Sequence, residues 1–152
     1  MTDETDVQGA AAAITQLLDE AECLRLIAAG GVGRIGYTGR FGPTILPVNF
    51  VLYEQAIVFR TGQHSPMGED LRTGIADAEY KVAFEVDEIV PASREGWSIL
   101  IQGSAHHVEA GSELAAVRQS GVQAWPGGEK DLFIRIAPDR ITGRRIRRAG
   151  AS

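Results

Sequence analysis

The chain has 152 residues, of which 44% are hydrophobic and 23% charged, and this composition predicts a single globular domain with a core of its own. Its net charge of −5 argues against a general nucleic-acid-binding protein, because such proteins need a basic surface. The one cysteine excludes an internal disulfide, and the three histidines lack zinc-ligand spacing with it, so we expect no metal site.

No part of the sequence predicts a membrane segment. The apolar runs are all shorter than the roughly 20 residues that a bilayer-crossing helix needs. The first residues, MTDETD, are acidic where a signal peptide would be basic. We therefore expect a cytoplasmic protein without a membrane partner.

The small, acidic residues 1–14 show no apolar period and are predicted to be disordered, leaving one domain over 15–148 and a short tail at 149–152. Asp19, with Glu22 three residues later, predicts a helix start, and Gly30 and Gly31 end that helix. Ser65 followed by Pro66 predicts a second helix to about residue 73, and a third covers 112–120. Strands are predicted at 33–38, 44–52, 56–61, 81–89, 97–109 and 132–137, and 140–146 continues the last of them after Pro138 and Asp139.

These strands follow one another without a regular β-α-β alternation, which favours an antiparallel barrel over a doubly wound sheet. Gly103 lies inside the long strand 97–109, where a glycine is typical of a bulge or a barrel corner.

The hairpin over residues 42–62 carries two residues that are unusual in an apolar strand, Pro47 and Asn49. Proline cannot donate a hydrogen bond to a neighbouring strand, so this strand either lies at an edge or has something other than a strand beside it. A plain edge strand and a ligand bound along the backbone both satisfy this condition. The arginine-rich end of the chain leaves a similar choice between a solvated strand end and a phosphate or partner contact; its arginines are Arg140, Arg144, Arg145, Arg147 and Arg148.

Taken in order, seven pieces of the sequence resemble the pyridoxamine 5′-phosphate oxidase-like family of flavin-binding split barrels, particularly its branch similar to nitroimidazole-resistance proteins. The pieces are GVGRIGYT (31–38), ILPVNFVL (45–52), AIVFRTG (56–62), VAFEVDEI (82–89), GWSILIQGSAHHV (96–108), WPGG (125–128) and RITGRRI (140–146). The resemblance implies a mainly β fold with short α-helices, built on a six-stranded antiparallel split β-barrel.

The resemblance also implies a homodimer with two flavins, usually FMN, each bound between the subunits. By position in the family, the strand residues Pro47, Val48 and Asn49 would lie along the flavin ring. The hydroxyls of Thr61 and Ser65 would reach the phosphate. From the partner subunit, Trp97 and Ser98 would complete the site.

The sequence departs from the family at the phosphate end. Relatives usually place Arg or Lys just after the serine, whereas this chain has Pro66 and Met67. The cations left to neutralise the phosphate are Arg60, His64 and Lys81, although strand alternation directs Arg60 away from Thr61. The alternative for Ser65 is that it caps its helix and does nothing more.

The resemblance predicts a flavin-dependent oxidoreductase that reduces a small electrophile with electrons from a nicotinamide or deazaflavin donor. No catalytic residue is assigned. It would not be a vitamin B6 oxidase, because the Arg-Leu-x-Pro substrate motif of that enzyme is missing. The deazaflavin F420 could replace FMN, and haem is a more remote alternative. A second class stays open, a non-catalytic flavin carrier or sensor, or a cofactor-free dimeric binding module.

Overall fold

A computed structural model describes residues 13–62, 65–71, 80–108, 111–119 and 132–149. Within these residues the chain forms seven strands and three short helices. In chain order they are β1 (Ala13–Leu18), α1 (Glu20–Ile27), β2 (Gly31–Gly39), β3 (Gly42–Tyr53), β4 (Ala56–Thr61), α2 (Pro66–Asp70), β5 (Tyr80–Val90), β6 (Glu95–Val108), α3 (Ser112–Gln119) and β7 (Leu132–Arg148).

The strands form one antiparallel sheet in the order β1-β7-β4-β3-β2-β5-β6, and β6 pairs also with β7. This second pairing joins six strands, β2 to β7, into a ring, as expected for a barrel. The long β7 pairs with β4 along its first residues, Leu132 to Ile136, and with β1 along its last, Gly143 to Arg148. The mainly β, antiparallel split-barrel prediction is confirmed.

A seventh strand, β1, was not predicted from the sequence. It begins at Ala13, inside the segment expected to be disordered, while residues 1–12 lie outside the described part of the chain. Five of its six residues are exposed, and the sequence AITQLL does not alternate between apolar and polar side chains as a half-buried strand does. Its pairing with the end of β7 therefore holds it in place, and no local pattern marks it.

The predicted strand 132–137 and its predicted continuation 140–146 form one strand, β7, with a bulge between them. Opposite it, Gln102 pairs with Arg140 whereas the next residue, Gly103, pairs with Pro138, so Asp139 is an extra residue on β7. A Cβ atom on Gly103 would lie 2.0 Å from the carbonyl oxygen of Ala137, which only glycine avoids. The predicted bulge at Gly103 is confirmed.

The main core fills the ring of strands, and α1 covers one end of it. Phe50 and Phe84 meet edge to face inside the barrel, with ring centroids 5.2 Å apart. The side chain of Asp19 accepts a hydrogen bond of 2.8 Å from the backbone N–H of Glu22 and caps α1 as predicted. The thiol of Cys23 is buried beneath α1, and burial raises its pKa.

A second, smaller core lies on the opposite side of the sheet, beneath α3. It contains Val58, Val108, Val117 and Phe133, with Val51, Tyr53 and Leu114 packed against it. Side chains of β4 thus alternate between two cores, since Ile57 and Phe59 belong to the main one. Both faces of β4 are buried, which rigidly fixes where its last two residues, Arg60 and Thr61, point.

Candidate functional site

Strands β3 and β4 part from each other halfway along β3. Their pairing runs from Tyr53 and Ala56 to Phe50 and Phe59 and stops there. A continued ladder would have set Arg60 against Asn49 and Thr61 against Val48, but the last residues of β4 pair only with β7. We call this opening the seam; its two sides are Pro47–Asn49 and Arg60–Thr61.

On its other side β3 pairs with β2 over its whole length up to Phe50, with Pro47 opposite Arg34. Among the described residues, no strand pairs with Pro47–Asn49 at the seam, which meets the condition that Pro47 sets without deciding between a plain edge and a ligand beside it. A proline is tolerated there when its nitrogen faces the open side. Backbone alternation then turns the N–H and C=O of Asn49 to the seam as well.

The short helix α2 follows the seam in the chain. Met67 and Leu71 are buried in the main core, to which Val48 and Tyr37 also belong. Of the predicted site residues, Met67 is therefore a core residue. The helix ends at Asp70, earlier than predicted, and residues 72–79 lie outside the described part of the chain.

The structure brings the two predicted hydroxyls together, with Thr61 Oγ1 and Ser65 Oγ 3.0 Å apart. Ser65 Oγ also donates to the carbonyl oxygen of Gly62 at 2.7 Å and accepts from the N–H of Gly68 at 2.9 Å. Because the hydrogen of Ser65 is used on Gly62, the hydrogen of Thr61 is directed to Ser65. Both hydroxyl groups therefore have hydrogen-bond partners within the chain. Ser65 also caps α2, as expected if its role is that of a helix cap.

The acidic residues of α2 are neutralised by an arginine that the sequence analysis did not single out. Arg40, on the turn between β2 and β3, places its Nε 2.8 Å from Asp70 and its Nη2 3.1 Å from Glu69. Its backbone N–H also donates to Asp70, at 3.4 Å. The negative charge of Glu69 and Asp70, which would repel a phosphate beside Ser65, is therefore compensated, and the turn is tied to α2.

The structure does not gather the predicted cations at the hydroxyl pair. Arg60 lies over the ring of Phe133, 5.0 Å from its centroid, on the face of β4 opposite to Thr61. Lys81 forms an ion pair of 2.8 Å with Asp139 at the bulge of β7. His64 lies outside the described residues.

Trp97 and Ser98 lie far from the hydroxyl pair within one chain. Trp97 pairs with Arg145 near the end of β7, whereas Thr61 pairs with Leu132 at its start. Trp97 is half-buried and packs against the main core. A site that used both groups of residues would need two chains, and the assignment of Trp97 and Ser98 to a partner subunit stays a prediction.

A second charged group lies beside the seam, on the outer surface of β2 and β5. Arg34 pairs with Glu85 at 3.2 Å and with Asp87 at 3.3 Å. Burial raises the pKa of Glu85 to about 7, and the hydrogen bond and charge of Asp87 add to the effect while Arg34 opposes it. The sequence analysis did not identify the arginine that joins these carboxylates.

Two further properties bear on the kind of site. Within the described ranges, no group of three or more His, Cys, Asp or Glu side chains is placed to hold a metal ion. Over the same residues, none of the helices has the length and apolar character needed to cross a bilayer.

Known proteins share this sequence and geometry. The family model described as pyridoxamine 5′-phosphate oxidase matches residues 19–145. The uncharacterized protein Rv0080 of Mycobacterium tuberculosis is 32% identical over 129 residues, covering 85% of this chain and 84% of that protein.

Two solved structures have the same fold. The FAD-binding protein of Mycobacterium smegmatis aligns with a TM-score of 0.68 at 27% identity, covering 87% of this chain and 100% of that one. A FAD-binding protein of Mesorhizobium loti aligns with a TM-score of 0.70 at 18% identity, covering 89% and 98%. The family match extends over most of the chain and coincides with the pieces singled out in the sequence. The chain therefore belongs to the pyridoxamine 5′-phosphate oxidase-like family of flavin-binding split-barrel proteins.

Proposed function

We propose that this protein binds FMN at the seam between β3 and β4 and acts as a flavin-dependent oxidoreductase. The observation that carries the proposal is the parting of the two strands after Phe50 and Phe59, which leaves backbone groups of β3 without a strand partner. Membership of a flavin-binding family and the FAD-binding relative from M. smegmatis support it. The bound flavin would supply the redox chemistry, taking electrons from a nicotinamide or deazaflavin donor and passing them to a small electrophile.

The ring end of the site fits a flavin. A flavin ring is flat and carries donors and acceptors on its pyrimidine edge, which an unpaired strand edge can match. The N–H and C=O of Asn49 are the groups that this strand offers to the seam. The side chains of Val48 and Met67 are both buried in the main core, so Val48 anchors the strand there. These residues would bind and orient the ring, and their backbone hydrogen bonds would tune its electron affinity.

The phosphate end fits less completely. Phosphate oxygens only accept hydrogen bonds, and the hydrogens of Thr61 and Ser65 are both directed within the chain. Thr61 is the hydroxyl that can turn to a phosphate at the lower cost, because Ser65 would lose its bond to Gly62. The compensation of Glu69 and Asp70 by Arg40 removes a repulsive charge without adding a cation to the site.

We further propose that two copies of the chain enclose the flavin. Trp97 and Ser98 of one copy would complete the seam of the other, since one chain holds them at the far end of β7. An indole beside the ring would offer a large stacking surface. The small electrophile would then approach the face of the ring that the protein leaves open.

A second candidate function is a flavin carrier, or a dimeric binding module without cofactor. It is favoured by the hydroxyl pair, which needs no ligand to satisfy its hydrogen bonds. Flavin titration, thermal unfolding and reduction kinetics distinguish the enzyme, the carrier and the cofactor-free module. The empty module predicts a colourless protein that FMN, FAD and F420 do not stabilise against heat.

The test is a titration of purified protein with FMN, FAD and F420, followed by flavin fluorescence and by thermal unfolding. We expect FMN to bind. Replacing Thr61 with valine should then raise its dissociation constant about fivefold or more, equivalent to about 1–3 kcal/mol. Thr15→Val, on the exposed strand β1 away from the seam, is the matched control and should leave binding unchanged.

Stopped-flow reduction of the loaded protein separates the remaining possibilities. Rapid bleaching of the flavin by NADPH or reduced F420, followed by reoxidation with a nitroaromatic or quinone acceptor, would support the enzyme. Tight binding without reduction by any donor would support the carrier. An unchanged FMN affinity in Thr61→Val would exclude the proposed phosphate contact.

A further inference from the structure

The register of the sheet puts a group of charged side chains next to the seam. Pro47 at the seam pairs with Arg34, and Arg34 pairs with Glu85, so these three side chains point outward from the barrel in one row. Asp87 follows on the same face of β5. Neighbouring strands are about 4.8 Å apart, which places the backbone of Glu85 about 10 Å from that of Pro47. A small molecule lying over β2 would therefore span the distance between the seam and Glu85.

Arg34 holds the two carboxyl groups of this row together. Its Nη1 lies 3.2 Å from Glu85 and 3.3 Å from Asp87. The two carboxyl groups are also hydrogen-bonded to each other, which requires a proton on one of them, because ionised carboxylates only accept hydrogen bonds. With that proton the three side chains are neutral together, and without it they carry one negative charge. Burial, and after it the hydrogen bond with Asp87, raises the pKa of Glu85 to about 7, so the proton is exchanged near neutral pH.

Few other charges of the described residues face Glu85. On β2 the outward neighbours of Arg34 are uncharged, and so are the residues 43–49 of β3. The residues opposite and diagonal to Glu85 on β6 are uncharged as well; they are Ser98, Leu100 and Gln102. Further charges on the same face of β5 and β7 are Lys81, which is paired with Asp139, and two arginines that lie two strands away, Arg140 and Arg144. The protonation of Glu85 therefore depends mainly on its burial, Asp87 and Arg34.

A shallow groove lies beside this row on the same outer face. Ile45 of β3 pairs with Gly36 of β2, and Gly36 pairs with Ala83 of β5. A Cβ atom on Gly36 would meet no atom of another strand closer than the Cβ of Ala83, 3.8 Å away, so the floor of the groove is low and open. Ile45 is 72% exposed and forms an apolar wall on the side of the seam. The groove thus combines an apolar floor and wall with a charged row along one side.

We propose that the small electrophile binds in this groove and that Glu85 gives it a proton as it is reduced. The proposal deepens the proposed function and rests on it, because the electrons come from a flavin bound at the seam. Arg34 and Asp87 are positioning residues in this account, since they hold the carboxyl group of Glu85 and its proton in place. An apolar surface with a few polar groups converging at one side is the usual form of a small-molecule site.

The step balances for a nitroaromatic compound, whose reduction consumes one hydride equivalent and one proton. The electron pair of the hydride, which comes from the bound flavin, reduces the nitro group, and one N–O bond breaks. The oxygen leaves as water, carrying the hydrogen of the hydride and the proton of Glu85, and a nitroso compound remains. Glu85 is then a carboxylate that Arg34 stabilises, and a proton from solvent restores its acid form.

Rapid-mixing kinetics with two acceptors test the role of Glu85. FMN-loaded protein is reduced with dithionite and mixed with a nitroaromatic, which needs a proton, or with ferricyanide, which takes single electrons and no proton. Glu85→Gln keeps the size of the side chain but has no acidic proton, so it should slow reoxidation by the nitroaromatic at least about tenfold and leave reoxidation by ferricyanide within about twofold. In the starting protein the nitroaromatic rate should fall as the pH rises through about 7, and in Glu85→Gln it should not depend on pH in this range.

The replacement Ala83→Leu tests where the electrophile binds. The larger side chain fills the floor of the groove, so the nitroaromatic concentration that gives half the maximal rate should rise at least about fivefold, while the ferricyanide rate stays unchanged. Thr15→Leu, on the exposed strand β1, is the matched control and should change neither. Thermal unfolding checks that all variants are folded.

A measurement on the flavin-free protein tests the proton of Glu85 without any turnover. Carbon-13 spectra of the labelled carboxyl groups should show Glu85 titrating near pH 7. Arg34 opposes protonation, so Arg34→Gln should move this midpoint to higher pH, and the midpoint of the nitroaromatic rate should move with it. A merely structural role of Arg34 would not shift the two midpoints together. Titration of Glu85 near 4.5 would leave no proton to give at neutral pH and would overturn the proposal.

The possible outcomes separate this proposal from the proposed function. FMN titration of the same samples should give equal affinities for the starting protein, Glu85→Gln and Ala83→Leu. If FMN binds but Glu85→Gln slows both acceptors alike or neither of them, Glu85 is not the proton donor, and the flavin site stands without it. An unchanged half-saturating concentration in Ala83→Leu would place the electrophile outside the groove and also overturn the proposal. A starting protein that does not bind FMN would overturn the proposed function and this proposal together.

Discussion

The replacement Ser65→Ala separates the structural from the ligand-binding role of the hydroxyl pair. Ser65 accepts a hydrogen bond from the N–H of Gly68 and caps α2, and loss of such a cap costs about 1 kcal/mol. Thr61 is only 6% exposed and would lose the partner of its hydroxyl hydrogen, at a further cost of about 1 kcal/mol. The flavin-free protein should therefore lose about 2 kcal/mol of unfolding free energy.

Urea unfolding followed by tryptophan fluorescence measures this loss in the absence of flavin. Thr61→Val keeps the cap and removes only the contact between the two hydroxyls, so it should cost about half as much, about 1 kcal/mol. The exposed Thr15→Val should stay within about 0.5 kcal/mol of the starting protein. If Ser65→Ala changed stability by less than about 0.5 kcal/mol, the assignment of Ser65 as a cap that is satisfied within the chain would be wrong.

Three further replacements test the surroundings of the seam. Gly68→Ala would put a Cβ atom 2.5 Å from the carbonyl oxygen of Gly62, so urea unfolding should show a loss of about 1–3 kcal/mol, and a neutral effect would contradict the packing of α2. Folding raises the pKa of Glu85 from 4.5 to about 7, so the folded chain holds the proton of this carboxyl group more tightly than the unfolded chain does. The protonated Glu85 therefore contributes its full stability below pH 4.5, and this contribution is lost as the pH rises through about 7. Glu85→Gln should remove this loss. In urea unfolding at pH 5 and at pH 8, the variant should therefore be more stable relative to the starting protein at pH 8 than at pH 5, whereas the same difference at both pH values would refute the assignment. Arg40→Ala should lower the free energy of unfolding slightly by releasing Asp70, and the difference should shrink in high salt; a difference that salt leaves unchanged would exclude an electrostatic origin.

The sequence predicted those parts of the fold that local patterns determine. Alternation and turn residues marked the strands of the barrel, and Gly103 marked the bulge because its environment admits no side chain. The exposed strand β1 carries no alternation and depends on its pairing with the far end of the chain. The predicted continuation of the strand past Pro138 and Asp139 is present, but the bulge that connects its two halves is imposed by β6 and has no local pattern.

The contacts of the candidate site also fall into those that a local sequence pattern can predict and those that it cannot. Thr61 and Ser65 are four residues apart, so their contact was within reach of a local argument. Arg40 meets α2 across about 30 residues of chain, and Arg34 meets Glu85 across 51. Such contacts depend on which strands become neighbours, and charge patterns alone do not determine that order.

The central claim is that a flavin binds where β3 and β4 part. Backbone amide spectra of isotope-labelled protein during titration with FMN test it most directly, because each amide reports its own surroundings. We expect saturable shifts concentrated at Val48, Asn49, Arg60 and Thr61, the residues on the two sides of the seam. FMN binding that leaves these amides unmoved and shifts others instead, or a spectrum that FMN does not change at all, would contradict the account.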